Sequence, residues 1–130
     1  MATNIPFVKM VGAGNDFLIV ESAPRANGYW SSVAKAMCDR RYGIGADGVL
    51  VLEPSRAADA RMRVINADGS EAEMCGNGAR CVARFLGEKR RRATVTLDTL
   101  AGTVRASVRS GRVQLQMTEP RDVRGRGHPR

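Results

Sequence analysis

Gly78-Ala79-Arg80-Cys81-Val82-Ala83-Arg84-Phe85-Leu86-Gly87-Glu88 is the stretch on which the fold turns. Wound as a helix, it spreads Ala79, Cys81, Val82, Ala83, Phe85 and Leu86 over nearly every side. A surface helix carries a single apolar stripe, so this pattern predicts a largely buried helix over 78–88. Downstream, residues 93–99, 103–109 and 112–117 alternate as strands do. Thr99 to Gly102 turns between the first two, and Ser110-Gly111 between the last two. Upstream, 49–53 and 61–66 read as strands separated by a loop from Pro54 to Asp59. Residues 30–41 read as a helix with a Ser N-cap, its face made of Val33, Ala34, Met37 and Cys38. Gly43 to Gly48 break that helix. Strands at 6–11 and 16–21 flank the turn Gly12-Ala13-Gly14-Asn15, where glycine permits positive φ. The sum is an α+β fold of short, mostly antiparallel strands packed around one buried helix.

A chain of 130 residues fits one domain, set here at 1–120. Past Pro120 the sequence is Arg, Gly and Pro, so 121–130 reads as a basic, disordered tail. Apolar residues reach 43%, enough for a core. The formal net charge is +8, carried mostly by Arg, which raises the question of nucleic acid. The charge is dispersed apart from Lys89-Arg90-Arg91-Arg92 and the tail. Aromatic residues, at 5%, supply little for base stacking, so nucleic-acid binding is disfavoured against a solvated basic face. No stretch approaches the ~20 apolar residues of a membrane span. The start of the chain lacks the pattern of a signal peptide. Three cysteines do not make a disulfide framework, and free thiols fit a cytoplasmic location.

Several signals resemble sites without meeting their requirements. Gly43-Ile44-Gly45-Ala46-Asp47-Gly48 spells the dinucleotide fingerprint GxGxxG. That motif needs a strand before it and a helix after it, and here the order is reversed. Asp68, Glu71 and Glu73 lack calcium-loop spacing. A zinc site from Cys75, Cys81 and His128 would draw a ligand from the tail. His128 is the sole histidine, which argues against Cys-His catalysis within the chain. Lys9, Lys35 and Lys89 sit in no recognisable Schiff-base setting.

The run with chemical content is Asn66 to Cys81. Asp68-Gly69 turns the chain after a strand, and Cys75-Gly76-Asn77-Gly78 leads into the buried helix with Asn77 as the expected N-cap. Cys75 therefore lies at the positive end of a helix, which favours a thiolate. Gly76 and Gly78 leave backbone N–H groups uncovered, able to hold a carboxylate. A thiol beside a bound carboxylate suggests proton transfer at the adjacent carbon. Cys38 and Cys81, amid apolar neighbours on helix faces, read as core. Gly-Asn-Gly makes poor core, so Cys75 does not.

These residues resemble the diaminopimelate epimerase family. The likeness runs from Phe7 to Pro120. Gly12-Ala-Gly14-Asn15-Asp16-Phe17, Gly43-Ile44-Gly45-Ala46-Asp47-Gly48, Asn66-Ala67-Asp68-Gly69-Ser70 and Cys75-Gly76-Asn77-Gly78-Ala79-Arg80-Cys81 carry it. The resemblance implies a barrel-like sheet around a central helix in each of two similar halves. It implies interconversion of LL- and meso-diaminopimelate, feeding lysine synthesis, with no metal or cofactor. One thiol from each half serves the α-carbon. Cys75 matches one of the pair. Asn15 and Asn66 match substrate-binding positions, and Gly76 and Asn77 the carboxylate-binding backbone. Gly48 and Val11 stand where some members have Gln and His. The second half, with its cysteine, and a closing strand for the first half are expected from a missing C-terminal part. A homodimer pairing two Cys75 thiols is another source. Two other readings remain: a related racemase acting on proline derivatives, and a non-catalytic binding or assembly half-domain.

Overall fold

The computed structural model describes residues 4–120. Its centre is a sheet whose strands run β1 (Val8–Gly12), β2 (Asn15–Glu21), β3 (Gly48–Glu53), β4 (Ala60–Asn66), then β6 (Thr94–Thr99), β7 (Gly102–Arg109) and β8 (Arg112–Pro120). A short β5 (Glu71–Ala72), which the sequence pattern does not announce, pairs with β4 off this path. Most pairings are antiparallel, as expected. Two are parallel: β2 with β3, and β4 with β6. Parallel neighbours need a long crossover, usually helical. Here α1 (Tyr29–Cys38) crosses between β2 and β3, and α2 (Gly76–Arg90) between β4 and β6. The sheet is therefore mixed, because each helix carries the chain back to its starting end.

The two helices cover opposite faces, and alternation along the strands shows it. Phe17, Ile19, Leu50, Leu52, Met62 and Val64 face α2 with Ala79, Val82, Ala83 and Leu86. Leu18, Val20, Val49, Val51 and Ile65 face α1 with Trp30, Ala34 and Cys38. Every residue of β3 is buried, because both its faces are covered. α2 touches β1 and β2 at one end of the sheet and β6, β7 and β8 at the other. Elements that far apart in strand order meet one helix only if the sheet curls around it. The result is a half-barrel in which β1 and β8 form the two ends of the strand order.

Local details depart from expectation at three helix ends. α1 is capped by Gly28 in the left-handed region (φ 84°) with no side-chain bond, not by Ser. It stops at Cys38 rather than residue 41, since Gly43, Ile44 and Gly45 turn back to its last carbonyls. α2 begins two residues earlier than read, and its N-cap is Cys75, not Asn77. In the β1–β2 turn, Ala13 (φ 53°) and Gly14 (φ 87°) both take positive φ, as a two-residue I′ hairpin requires. The expected tail at 121–130, including His128, lies outside the described residues. Among the described residues no helix is long and apolar enough to cross a membrane.

Candidate active site

Four loops meet at one end of the sheet because β2 and β3 begin there and β4 ends there. Gly48 pairs with Asn66, and Ala67 N–H donates to Asp47 O at 3.2 Å. Asp47 N–H donates to Asp16 O at 2.9 Å. The α2 N-terminus is brought to this end by Asn77, whose Nδ2 donates to Asn15 Oδ1 at 2.8 Å. Gly78 makes the approach possible: a Cβ there would lie 3.0 Å from Leu50 Cδ2 on β3.

Cys75 sits at the head of α2 with extended backbone (φ −140°, ψ 117°). Its sulfur accepts from Gly78 N–H at 3.4 Å, and its carbonyl accepts from Ala79 N–H at 2.8 Å. The N–H groups of Gly76 and Asn77 precede these bonds, so no helical carbonyl is in reach of them. The sequence places bare amides at Gly76 and Gly78; the Gly78 N–H is instead taken by the Cys75 sulfur, so the pair left beside the thiol is Gly76 and Asn77. Cys75 is half-buried, whereas Cys38 and Cys81 are buried. Burial pushes both buried thiols up, with Arg40 and Arg84 respectively pulling the other way. A cavity of about 100 Å³ opens beside the α2 N-terminus, lined by Gly12, Ala13, Asn77, Arg80, Cys81 and Arg84. The thiol at its wall is the buried Cys81; Cys75 is not among its lining residues.

Of the residues singled out by sequence, Cys75, Gly76, Asn77 and Asn15 come together. Asn66 stands next along the same sheet end, exposed. Its own N–H and Nδ2 are taken by Ser70 O at 2.7 Å and Ser70 Oγ at 3.0 Å. Sequence reading gave no role to the ion cluster behind Asn15. Arg40 reaches Asp16 with both Nη atoms, at 3.0 and 2.8 Å, and Asp47 Oδ1 at 3.2 Å. Lys9 adds a contact of 3.6 Å to Asp16. The available signal was two aspartates inside glycine-rich motifs, since like charges held together call for a cation.

That cluster makes a testable contribution to stability. The Arg40 guanidinium holds the Asp16 carboxyl well below the usual range, against burial and with help from Asp47. A carboxyl lowered in the folded state stabilises the fold above its unfolded value, about 4. That stabilisation is lost as pH falls through the folded value. Arg40→Met is therefore expected to melt lower than the wild type at pH 7. The two Tm curves should converge as pH falls below about 4. Parallel curves down to pH 2 in a thermal melt series would show that Asp16 and Arg40 do not form this linkage.

The sequence model of the family described as diaminopimelate epimerase matches residues 7–123. The chain belongs to that family. It is 49% identical over 120 residues to a diaminopimelate epimerase of Carboxydothermus hydrogenoformans, covering 88% of this chain and 44% of that protein. A diaminopimelate epimerase of Caldanaerobacter subterraneus is 52% identical over 100 residues, covering 75% of this chain and 36% of that one. The chain thus spans less than half the length of these curated relatives. Among solved structures, a probable proline racemase from Agrobacterium radiobacter superposes with TM-score 0.69 at 22% identity, covering 86% of this chain and 41% of that one. A hydroxyproline epimerase from Agrobacterium vitis gives 0.64 at 19% identity, covering 84% and 40%. Likeness at that identity shows the fold alone. Membership of the diaminopimelate epimerase family supports an isomerase.

Proposed function

We propose that this chain forms one half of a diaminopimelate epimerase site and that Cys75 is one of its two proton-transferring thiols. The observation that carries the reading is the half-buried Cys75 at the head of α2, beside the Gly76 and Asn77 amides. The substrate α-carboxylate docks on those amides, where the helix end favours an anion. Asn15 and Asn66 complete the contacts on this side. One thiolate takes the α-proton and becomes a thiol, leaving a carbanion next to the carboxylate. A thiol on the opposite face then gives up its proton to that carbon and becomes a thiolate. The configuration inverts, and atoms and charge balance without metal or cofactor. The second thiol comes from the remainder of a longer protein. A strand entering between β1 and β8 would close the half-barrel and make α2 central. The reaction belongs to lysine synthesis in the cytoplasm, where thiols stay reduced.

The 49% and 52% identities to diaminopimelate epimerases favour this substrate over the proline derivatives named for the fold neighbours. The test is proton NMR in heavy water. The chain alone, given LL-diaminopimelate, should exchange its α-proton slowly or not at all. Joined to the remaining part of the Carboxydothermus relative, it should exchange and invert it. Rapid inversion by the chain alone, or none by the joined protein, would overturn the proposal. So would turnover of hydroxyproline in preference to diaminopimelate.

A further inference from the structure

We infer that Asp47, held by Arg40, is a positioning residue that fixes which way round the Asn15 and Asn77 carboxamides face. The relay is continuous. Asn15 Nδ2 donates to Asp47 Oδ2 at 3.2 Å, and Asn77 Nδ2 donates to Asn15 Oδ1 at 2.8 Å. An ionised carboxylate has only acceptors. The end of Asn15 that meets Asp47 must therefore be its NH₂ group. Its oxygen then faces Asn77, and the end of Asn77 that meets it must be NH₂ as well. Asn77 Oδ1 is left as an acceptor beside the head of α2.

Asp47 is itself immobilised. Its Oδ2 also accepts from Asp16 N–H at 2.9 Å, and its own N–H donates to Asp16 Oδ1 at 3.0 Å. Arg40 bridges the two carboxylates through Nη2, at 2.8 and 3.2 Å. The guanidinium ties both carboxylates to one place, and a carboxylate that can only accept is what gives the relay its direction. With a neutral amide at position 47, its NH₂ must face either Arg40 Nη2 or the Asp16 N–H, so one hydrogen bond is lost whichever way it turns. Where the NH₂ takes the Oδ2 place, the two carboxamides turn over together and Asn77 presents donors instead of an acceptor. The consequence for substrate rests on the reaction proposed above. An amino-acid ammonium is a donor, so only one orientation of Asn77 suits it.

The polarity is measurable without substrate, on the ¹⁵N-labelled chain. In the wild type, the Asn15 and Asn77 NH₂ signals should be shifted and slow to exchange with solvent. In Asp47→Asn both should move toward ordinary positions and exchange about tenfold faster, the loss expected when a charge-assisted bond disappears. Unchanged Asn15 and Asn77 signals in a folded Asp47→Asn chain would overturn the inference. A second variant covers the case in which Asp47→Asn does not fold. Asn77→Ala cuts the far end of the relay but leaves Asn15 pinned by Asp47, so the Asn15 NH₂ signals must stay protected. Their loss of protection would show that α2, not Asp47, orients the pair. Failure of these spectra leaves the proposed reaction to its own exchange assay, and failure of that assay leaves the relay untouched.

Discussion

Cys75→Ser is expected to abolish inversion at the α-carbon in the joined, two-half protein while leaving the fold as stable as before. Proton transfer by a positioned side chain contributes about 10²–10⁴-fold to rate. Removing one member of an acid–base pair that works on opposite faces should cost at least the upper part of that range. Serine is a demanding control because it fits the structural duty of Cys75 better than cysteine does. The cysteine sulfur accepts a single long bond, from Gly78 N–H at 3.4 Å. Serine is among the preferred N-caps, and a good cap contributes about 0.5–2 kcal/mol over alanine. Cys75→Ser should therefore melt at or above the wild-type Tm, and Cys75→Ala slightly below it. The hydroxyl, however, yields no anion near neutral pH and cannot take the α-proton. If Cys75→Ser inverts the substrate within tenfold of the wild-type rate, the sulfur is only a cap, and the function proposed for it falls.

That contrast between capping and chemistry follows what was legible in the sequence. The apolar positions of 78–88 announced a helix with little exposed surface, and Ala79, Cys81, Val82, Ala83 and Leu86 are buried. Local periodicity suffices there, because burial on several sides leaves its mark on every turn. Strand positions were readable for the same reason. Pairing was not. That β2 lies parallel to β3 depends on where α1 returns the chain, and no residue in either strand encodes its partner. The site divides in the same way. Cys75, Gly76 and Asn77 are neighbours in sequence, so their meeting at a helix end could be inferred. Asn15 could be placed only through the family likeness, since it is 62 residues from the Asn77 it contacts. Arg40 was invisible: an exposed arginine after a helix looks like any other until Asp16 and Asp47 are brought beneath it. Asn77 was misread as the cap because side-chain type predicts caps well, but Cys75 is the residue that takes the extended backbone.

The largest stability loss from one added methyl group is expected at Gly43, and it explains what the glycine-rich run is for. A Cβ there would stand 2.1 Å from Ala36 O and 2.9 Å from both Met37 O and Asp39 O. These are backbone atoms in the last turn of α1 and its C-cap Asp39, so no side chain can move aside. The same loop is stitched to that turn. Gly43 N–H donates to Asp39 O at 2.9 Å, Ile44 N–H to Met37 O at 2.9 Å and Gly45 N–H to Met37 O at 3.0 Å. Making room for a methyl must stretch these bonds. Overpacking with the loss of one or two hydrogen bonds should cost about 3 kcal/mol or more. Gly14→Ala provides the comparison. Its φ is +87°, but nothing lies within 4 Å of the added atom, so only backbone strain of about 1 kcal/mol is added. Gly43→Ala should thus melt well below Gly14→Ala in the same buffer. It should also loosen Asp47, four residues along, and weaken the protection of the Asn15 NH₂ group. The letters of a phosphate loop are here the letters of a tight return from helix to strand. Gly48 serves it too, because a Cβ there would lie 2.9 Å from Ile65 O on β4. A Gly43→Ala chain that melts within about 1 kcal/mol of wild type would mean that the loop yields freely, and that its glycines are not what holds Asp47 against Asn15.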